Sequence, residues 1–96
     1  MTTYELEFDL AALKEWRKLD GSIRELFKKQ LAKRLQSPHV PAARLRGDLK
    51  NTYKIKLRDA GYPLVYQVCD NLVLVTVVAV GKRENNLAYR NAKERV

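Results

Sequence analysis

Residues Leu72 to Val80 read LVLVTVVAV, and this run constrains the fold more than any other stretch of the chain. A strand with one wet face alternates apolar and polar residues. A short, valine-rich run without that alternation reads as a central strand covered on both faces. The run is interrupted by Thr76 and falls far short of the roughly 20 apolar residues that cross a bilayer. The chain must therefore build a sheet around this strand.

Other strand signals surround it. Leu64 to Cys69 forms the preceding strand, and Asp70-Asn71 supplies two residues suited to a tight hairpin between the two. Further upstream, TYKIKLR (residues 52–58) alternates Tyr53, Ile55 and Leu57 with Lys54, Lys56 and Arg58. Asp59-Ala60-Gly61 makes the turn that follows. Near the start, TYELEF (residues 3–8) has the same period of two, the mark of a half-buried strand.

Helical periods fill the stretch between. Asp9 is placed as an N-cap, and Leu10, Leu13, Trp16 and Leu19 recur about every third residue until Asp20-Gly21 ends the segment. Ser22 with Glu25 has capping-box spacing and opens a second helix. Its apolar stripe is Ile23, Leu26, Phe27, Leu31 and Leu35, and Pro38 stops it. Two helices joined by so short a turn should pack as an antiparallel hairpin. Residues 37–50 hold two prolines and a glycine and read as a loop, with a short strand or turn near Leu45. The tail from Glu84 to Val96 reads as a short polar helix with no deep apolar stripe. The expectation is one α+β domain over residues 1–96, an antiparallel β-sheet with an N-terminal helical hairpin packed on one face and a short C-terminal helix.

Nineteen Lys and Arg against eleven Asp and Glu give a formal net charge of +8. Such a surface attracts polyphosphate by Coulomb steering and counterion release, though it also suits solubility or an acidic protein partner. Cys69 is the only cysteine, so no internal disulfide forms, which fits a reducing compartment. It reads as a small buried hydrophobe. With no signal-peptide apolar region and no membrane span, the expected location is the cytoplasm.

The placement of the cations is more specific. In a strand, Lys54, Lys56 and Arg58 project from one face, with same-face neighbours roughly 7 Å apart. Gly81-Lys82-Arg83 follows directly on the central strand, where a rigid scaffold displays functional groups. Arg44, Arg46 and Lys50 lie in the loop before the sheet and could converge on the same concave face. Tyr62, Tyr66 and Tyr89 add aromatic rings, and tyrosine among cations suits single-stranded RNA, whose bases stack while its phosphates pair. His39 is the sole histidine, so a two-histidine ribonuclease site is excluded. No Cys/His or paired-carboxylate spacing suggests a metal, and no glycine-rich phosphate loop is present. RNA cleavage here would use no metal or cofactor. Cations would stabilise charge at phosphorus, and a lysine crowded by other cations would take the 2′-hydroxyl proton.

The segments LKEWRKL (13–19), RLRG (44–47), YKIKLR (53–58), GY-x-LVYQV (61–68) and VGKRE (80–84) resemble the RelE family, in the same order and over nearly the whole chain. The resemblance implies the RelE/ParE fold, a twisted antiparallel sheet flanked by helices. It implies a toxin that enters the A site of the 70S ribosome, against 16S rRNA, and cuts messenger RNA through the 2′-hydroxyl to leave a 2′,3′-cyclic phosphate. It further implies a RelB-like antitoxin, with operator DNA bound only through the toxin–antitoxin complex. By this resemblance Lys54 and Lys56 contact RNA and activate the 2′-hydroxyl, with Lys54 the better base. Arg83 stabilises the charged transition state, Tyr89 stacks on or orients the substrate base, and Arg46 is a further basic contact. Arg44, Lys50, Arg58 and Lys82 complete the RNA-binding set. Where the family pattern has an active-site arginine, this chain has Pro63, which implies attenuated cleavage. A catalytically inactive binder of ribosome or antitoxin, and a ParE-like gyrase inhibitor, share the same fold.

Overall fold

The computed structural model describes residues 3–45, 50–57, 61–81 and 87–95. Its elements run β1 (Glu5–Phe8), α1 (Leu10–Arg17), α2 (Gly21–Gln36), β2 (Thr52–Leu57), β3 (Tyr62–Cys69), β4 (Leu74–Val80) and α3 (Leu87–Arg95), with 3₁₀ turns at Pro41–Ala43 and Asp70–Leu72. The four strands form one sheet in the order β1-β4-β3-β2. The valine-rich run thus sits inside the sheet, as its lack of alternation requires. The α+β class holds, but the sheet is mixed. β2, β3 and β4 form an antiparallel meander, whereas β1 joins β4 in parallel, Glu5 beside Leu74 and Phe8 beside Val77.

The sheet has two packed sides. On one, α1 and α2 bury Ala12, Leu19, Phe27 and Leu31 against Tyr53, Ile55, Leu64, Tyr66, Val68, Val75, Val77 and Val80. On the other, α3 lays Ala88 and Ala92 on Val65, Val78 and Ala79. The N-terminal helices pack on one face, as expected, and the C-terminal helix takes the other. A register shift between Val65 and Tyr66 leaves Val78 as an extra residue in β4. This bulge turns Val77 and Val80 to the α1–α2 side and Val78 with Ala79 to the α3 side, which feeds both cores from one strand.

Several local expectations change. The inward face of α1 is Ala12 and Trp16, with Leu19 buried just past its end, while Leu10 points outward and is 79% exposed. Helix α2 starts at Gly21 with Asp20 at its cap and no capping side-chain bond, and Glu25 pairs with Lys28 at 3.2 Å instead of closing a box on Ser22. The Asp9 cap forms as expected, its Oδ2 accepting from Ala11 N–H at 3.2 Å. The β3–β4 connection is longer than a two-residue hairpin. A 3₁₀ turn over Asp70–Leu72 ends at Val73 in the left-handed region, φ 50°, which delays β4 to Leu74 and leaves Leu72 69% exposed.

Beyond Phe8, among the described residues, no strand lies beside the outer edge of β4. Asp9 N–H makes the last backbone bond, to Val77 O at 2.9 Å. The next two edge groups are met by side chains: Arg95 Nη1 donates to Val78 O at 2.8 Å, and Val80 N–H donates to Glu15 Oε1 at 3.3 Å. Arg95 also pairs with Glu15 through both oxygens, at 2.9 and 3.2 Å, and Asn91 adds a bond to Oε2 at 3.2 Å. One carboxylate of α1 thus ties α3 to the sheet edge.

Candidate nucleic-acid interface

The site is built on β2 and β3. Residues directly opposite across two strands share a face. Lys54 is paired with Val65, which lies under α3, and Lys56 is paired with Pro63, so both lysines project on the α3 side. Lys54 is half-buried and Lys56 exposed. Tyr89 packs on the same Val65, Val78 and Ala79 cluster, half-buried. Strand alternation and helix docking therefore bring Lys54, Lys56 and Tyr89 to one face, although Tyr89 comes from a different layer.

Pro63 is the second residue of β3 and is buried. Its carbonyl accepts from Gly81 N–H at 3.2 Å, so its backbone faces β4 and the missing N–H removes no rung between β2 and β3. This explains why proline is tolerated inside the strand. The chain also leaves β4 here, with Gly81 bonded to the residue that pairs with Lys56. Lys82 and Arg83 follow it, and they lie outside the described residues, as do Arg46 and Arg58.

Arg44 is not brought to the lysines. It bridges Tyr53 across the outer edge of β2, with Leu45 N–H donating to Thr52 O at 2.9 Å, and Leu45 packs on the α3-side cluster. Alternation then directs Arg44 to the side of Tyr53, away from Lys54. Lys50 is exposed in the turn before β2. Tyr66 is fully buried on the α1–α2 side and Tyr62 is half-buried against that same core, so neither ring stacks beside Lys54.

Two features behind this face escaped sequence reading. Arg34 of α2 donates to the Lys54 carbonyl at 3.3 Å and to the Tyr66 hydroxyl at 2.9 Å, with its guanidinium 5.8 Å from the Tyr66 ring centre. It fixes the backbone of Lys54 from the opposite side of the strand. His39 is half-exposed but bonded twice, Nδ1 to the Tyr53 hydroxyl at 2.6 Å and Nε2 to Asp70 Oδ1 at 2.8 Å, while Tyr4 donates to the same Oδ1 at 2.7 Å. The hydrogen bonds from His39 and then Tyr4 hold the Asp70 carboxyl below its ordinary value, and the bond to Asp70 raises the Tyr4 hydroxyl above its own. A histidine next to proline carries no signal of partners 14 and 31 positions away. Cys69, expected in the core, is half-buried at the end of β3.

Among the described residues no three His, Cys, Asp or Glu side chains gather as a metal site, and no helix is long and apolar enough to cross a membrane. The face carries cations and an aromatic ring around a small apolar floor. That arrangement can hold a phosphate backbone and stabilise charge on it.

Comparison with known proteins points the same way. The family described as ParE toxin of type II toxin-antitoxin system, parDE, matches residues 6–87. The mRNA interferase toxin RelE of Escherichia coli strain K12 is 53% identical over 93 residues, covering 97% of each chain. The mRNA interferase RelE of Shigella flexneri matches to the same extent. Among solved structures, a mutant of the E. coli toxin RelE in the free state superposes with a TM-score of 0.91 at 50% identity, covering 99% of each chain. The intact E. coli RelBE toxin–antitoxin complex contains a chain that matches with a TM-score of 0.81 at 55% identity, over 85% of this chain and 99% of that one.

Proposed function

This chain belongs to the RelE/ParE family of type II toxin–antitoxin toxins, and on that premise we propose that it is a ribosome-dependent endoribonuclease that cuts messenger RNA in the A site. The observation that carries this reading is the convergence of Lys54, Lys56 and Tyr89 on one face, from a strand and a helix distant in sequence. A gyrase inhibitor on the same fold has no chemical need to assemble these three.

In the proposed reaction Lys54 removes the 2′-hydroxyl proton. The 2′ oxygen attacks phosphorus, the bond to the 5′ oxygen breaks, and that oxygen leaves with a proton taken from water. The products are a 2′,3′-cyclic phosphate and a 5′-hydroxyl, with no metal required. Lys56 holds the phosphate backbone, Tyr89 orients the neighbouring base, and Arg83 stabilises the charge developing on phosphorus. Exposed Lys50, together with Arg46, Arg58 and Lys82, adds sequence-independent attraction to RNA.

Pro63 weakens this site. A guanidinium at the reacting phosphate contributes on the order of 10²- to 10³-fold in rate, by analogy with other preorganised donors. The backbone of Pro63 fits its strand, so the substitution changes chemistry and spares the fold. We expect an attenuated toxin that still binds the ribosome and a RelB-like antitoxin, and that represses its own operon through the antitoxin complex. The antitoxin is expected to displace residues 84–96 and with them Tyr89. The site of action is the cytoplasm, where translating ribosomes are.

Toeprinting of a translated message with the purified protein tests the reading. Codon-phased stops support cleavage in the A site, and intact message with retained 70S binding reduces the chain to an inert binder. Pro63→Arg should deepen the stops and strengthen growth inhibition on expression. Identical activity in the two proteins would remove Pro63 as the cause of attenuation.

A further inference from the structure

The α3 side of the sheet is only partly covered. Beyond Val65 and Ala79 the next cross-strand row on the face of Lys54 is Thr52, which is fully buried, with Gln67 and Thr76, which are only half-buried. Gln67 is a diagonal neighbour of Lys54, roughly 7 Å away by strand geometry. Past it the sheet ends in a shallow groove of 370 Å³ lined by Asn51, Gln67, Val68, Cys69, Asp70 and Asn71. That volume falls in the range, about 300–1,000 Å³, that takes a small ligand.

The chemistry of the groove differs from that of the lysine face. Among the described residues no cation lines it, and Asp70 stands at its rim, which disfavours a phosphate. It offers three side-chain amides instead, and among the described residues none of the three amides is engaged in a hydrogen bond. The contrast with Asp70 is informative. Both of its bonds, from Tyr4 and His39, fall on Oδ1, which leaves Oδ2 to accept from a ligand. Planar amides and a carboxylate are the groups that read base edges: Asn and Gln pair with adenine, and a carboxylate accepts from the exocyclic amine of cytosine. The wall is apolar at Cys69, which is half-buried and shares the face of Gln67 by strand alternation. Asp70 is also held rigidly by two partners, so its free oxygen is preorganised.

We propose that this groove is a nucleobase subsite in which Gln67, Asn51 and Asp70 read a base that carries an exocyclic amine, one nucleotide along from the phosphate held at Lys54. The proposal rests on the reading of Lys54 as an RNA contact, and it adds the part of the substrate that the lysines cannot distinguish. It makes Gln67 a specificity-determining residue with no part in the chemical step.

The test needs no cleavage, so attenuation at Pro63 does not obscure it. The full chain, labelled with ¹⁵N, is titrated separately with AMP, CMP, GMP, UMP and ribose 5-phosphate, and the side-chain amide signals of Gln67 and Asn51 are followed by NMR. We expect AMP, CMP and GMP to shift these signals at concentrations several-fold lower than UMP, and ribose 5-phosphate to leave them in place. Gln67→Leu and Asp70→Asn should each remove the difference between bases, while the backbone amide of Lys54 still responds to every phosphate-bearing ligand. Equal responses to UMP and the amino-bearing nucleotides, or a response at Lys54 with none at Gln67, overturn the subsite and leave the lysine face intact. No response at either position overturns both the subsite and the RNA-contact reading beneath it.

Discussion

On the α1–α2 side the sheet is packed by Phe27, Leu31, Leu64 and Tyr66, whereas on the α3 side contact is made by Val65, Val78, Ala79, Ala88 and Ala92. The first is a core of large side chains drawn from two helices and three strands. The second is a thin layer of small ones, finished at its rim by the Glu15–Arg95 pair. Lys54, Lys56 and Tyr89, the proposed RNA contacts, all belong to the second. On that proposal, stability and function are divided between the two faces of one sheet. A face proposed to admit RNA cannot be sealed by a thick core, and alanines let a helix lie close while contributing little to its hold.

The strongest way to break this comparison is Phe27→Ala. Phe27 is fully buried, and its truncation should cost about 3–5 kcal/mol, enough to unfold much of a small domain. A urea midpoint barely moved from that of the parent would show that the α1–α2 side does not carry the fold. Glu15→Ala sharpens the contrast from the other side. It deprives Arg95, Asn91 and Val80 N–H of their acceptor together, at a cost of about 2 kcal/mol, and most of that loss should be local. Hydrogen exchange should show lost protection over residues 87–95 with β2 and β3 still protected. Uniform loss through the sheet would mean that the two sides are one cooperative unit.

The smallest expected effect concerns the polar rim of the α1–α2 side. The Asp70 carboxyl lies below its ordinary value in the folded chain because His39 and then Tyr4 bond to it. A depressed carboxyl adds stability above its unfolded value, near 4, and that contribution is lost as pH falls through the lower folded value. The advantage of the parent over Asp70→Asn should therefore be present at pH 7 and shrink as pH falls below the ordinary carboxylate value of about 4, as read from urea midpoints. A difference constant with pH would detach Asp70 from His39.

The two sides also differ in how far they could be read from sequence. LVLVTVVAV and the YKIKLR alternation placed β4 in the sheet interior and the two lysines on one face, because periods of strands are written into neighbouring residues. The α3 contact was not legible in this way. Ala88 and Ala92 look like ordinary helix formers, and nothing local distinguishes a buried alanine from an exposed one. Glu15 looks like a solvated helix charge, yet its partner lies 80 positions away. Arg44 belonged to a basic cluster in sequence, and only its bridge to Tyr53 reveals that it points elsewhere. Long-range partners such as His39 with Asp70 depend on how the chain closes, which no window of neighbouring residues records.

The parallel pairing of β1 with β4 has a kinetic consequence. The meander of β2, β3 and β4 can form from neighbours in sequence as soon as those residues exist. Glu5 must wait for Leu74, and the whole intervening chain is the loop that their contact closes. β1 should therefore join late, after the folding barrier, and substitutions in it should quicken unfolding far more than they slow folding. On a translating ribosome β1 emerges before the strand it pairs with and is among the last to find its place.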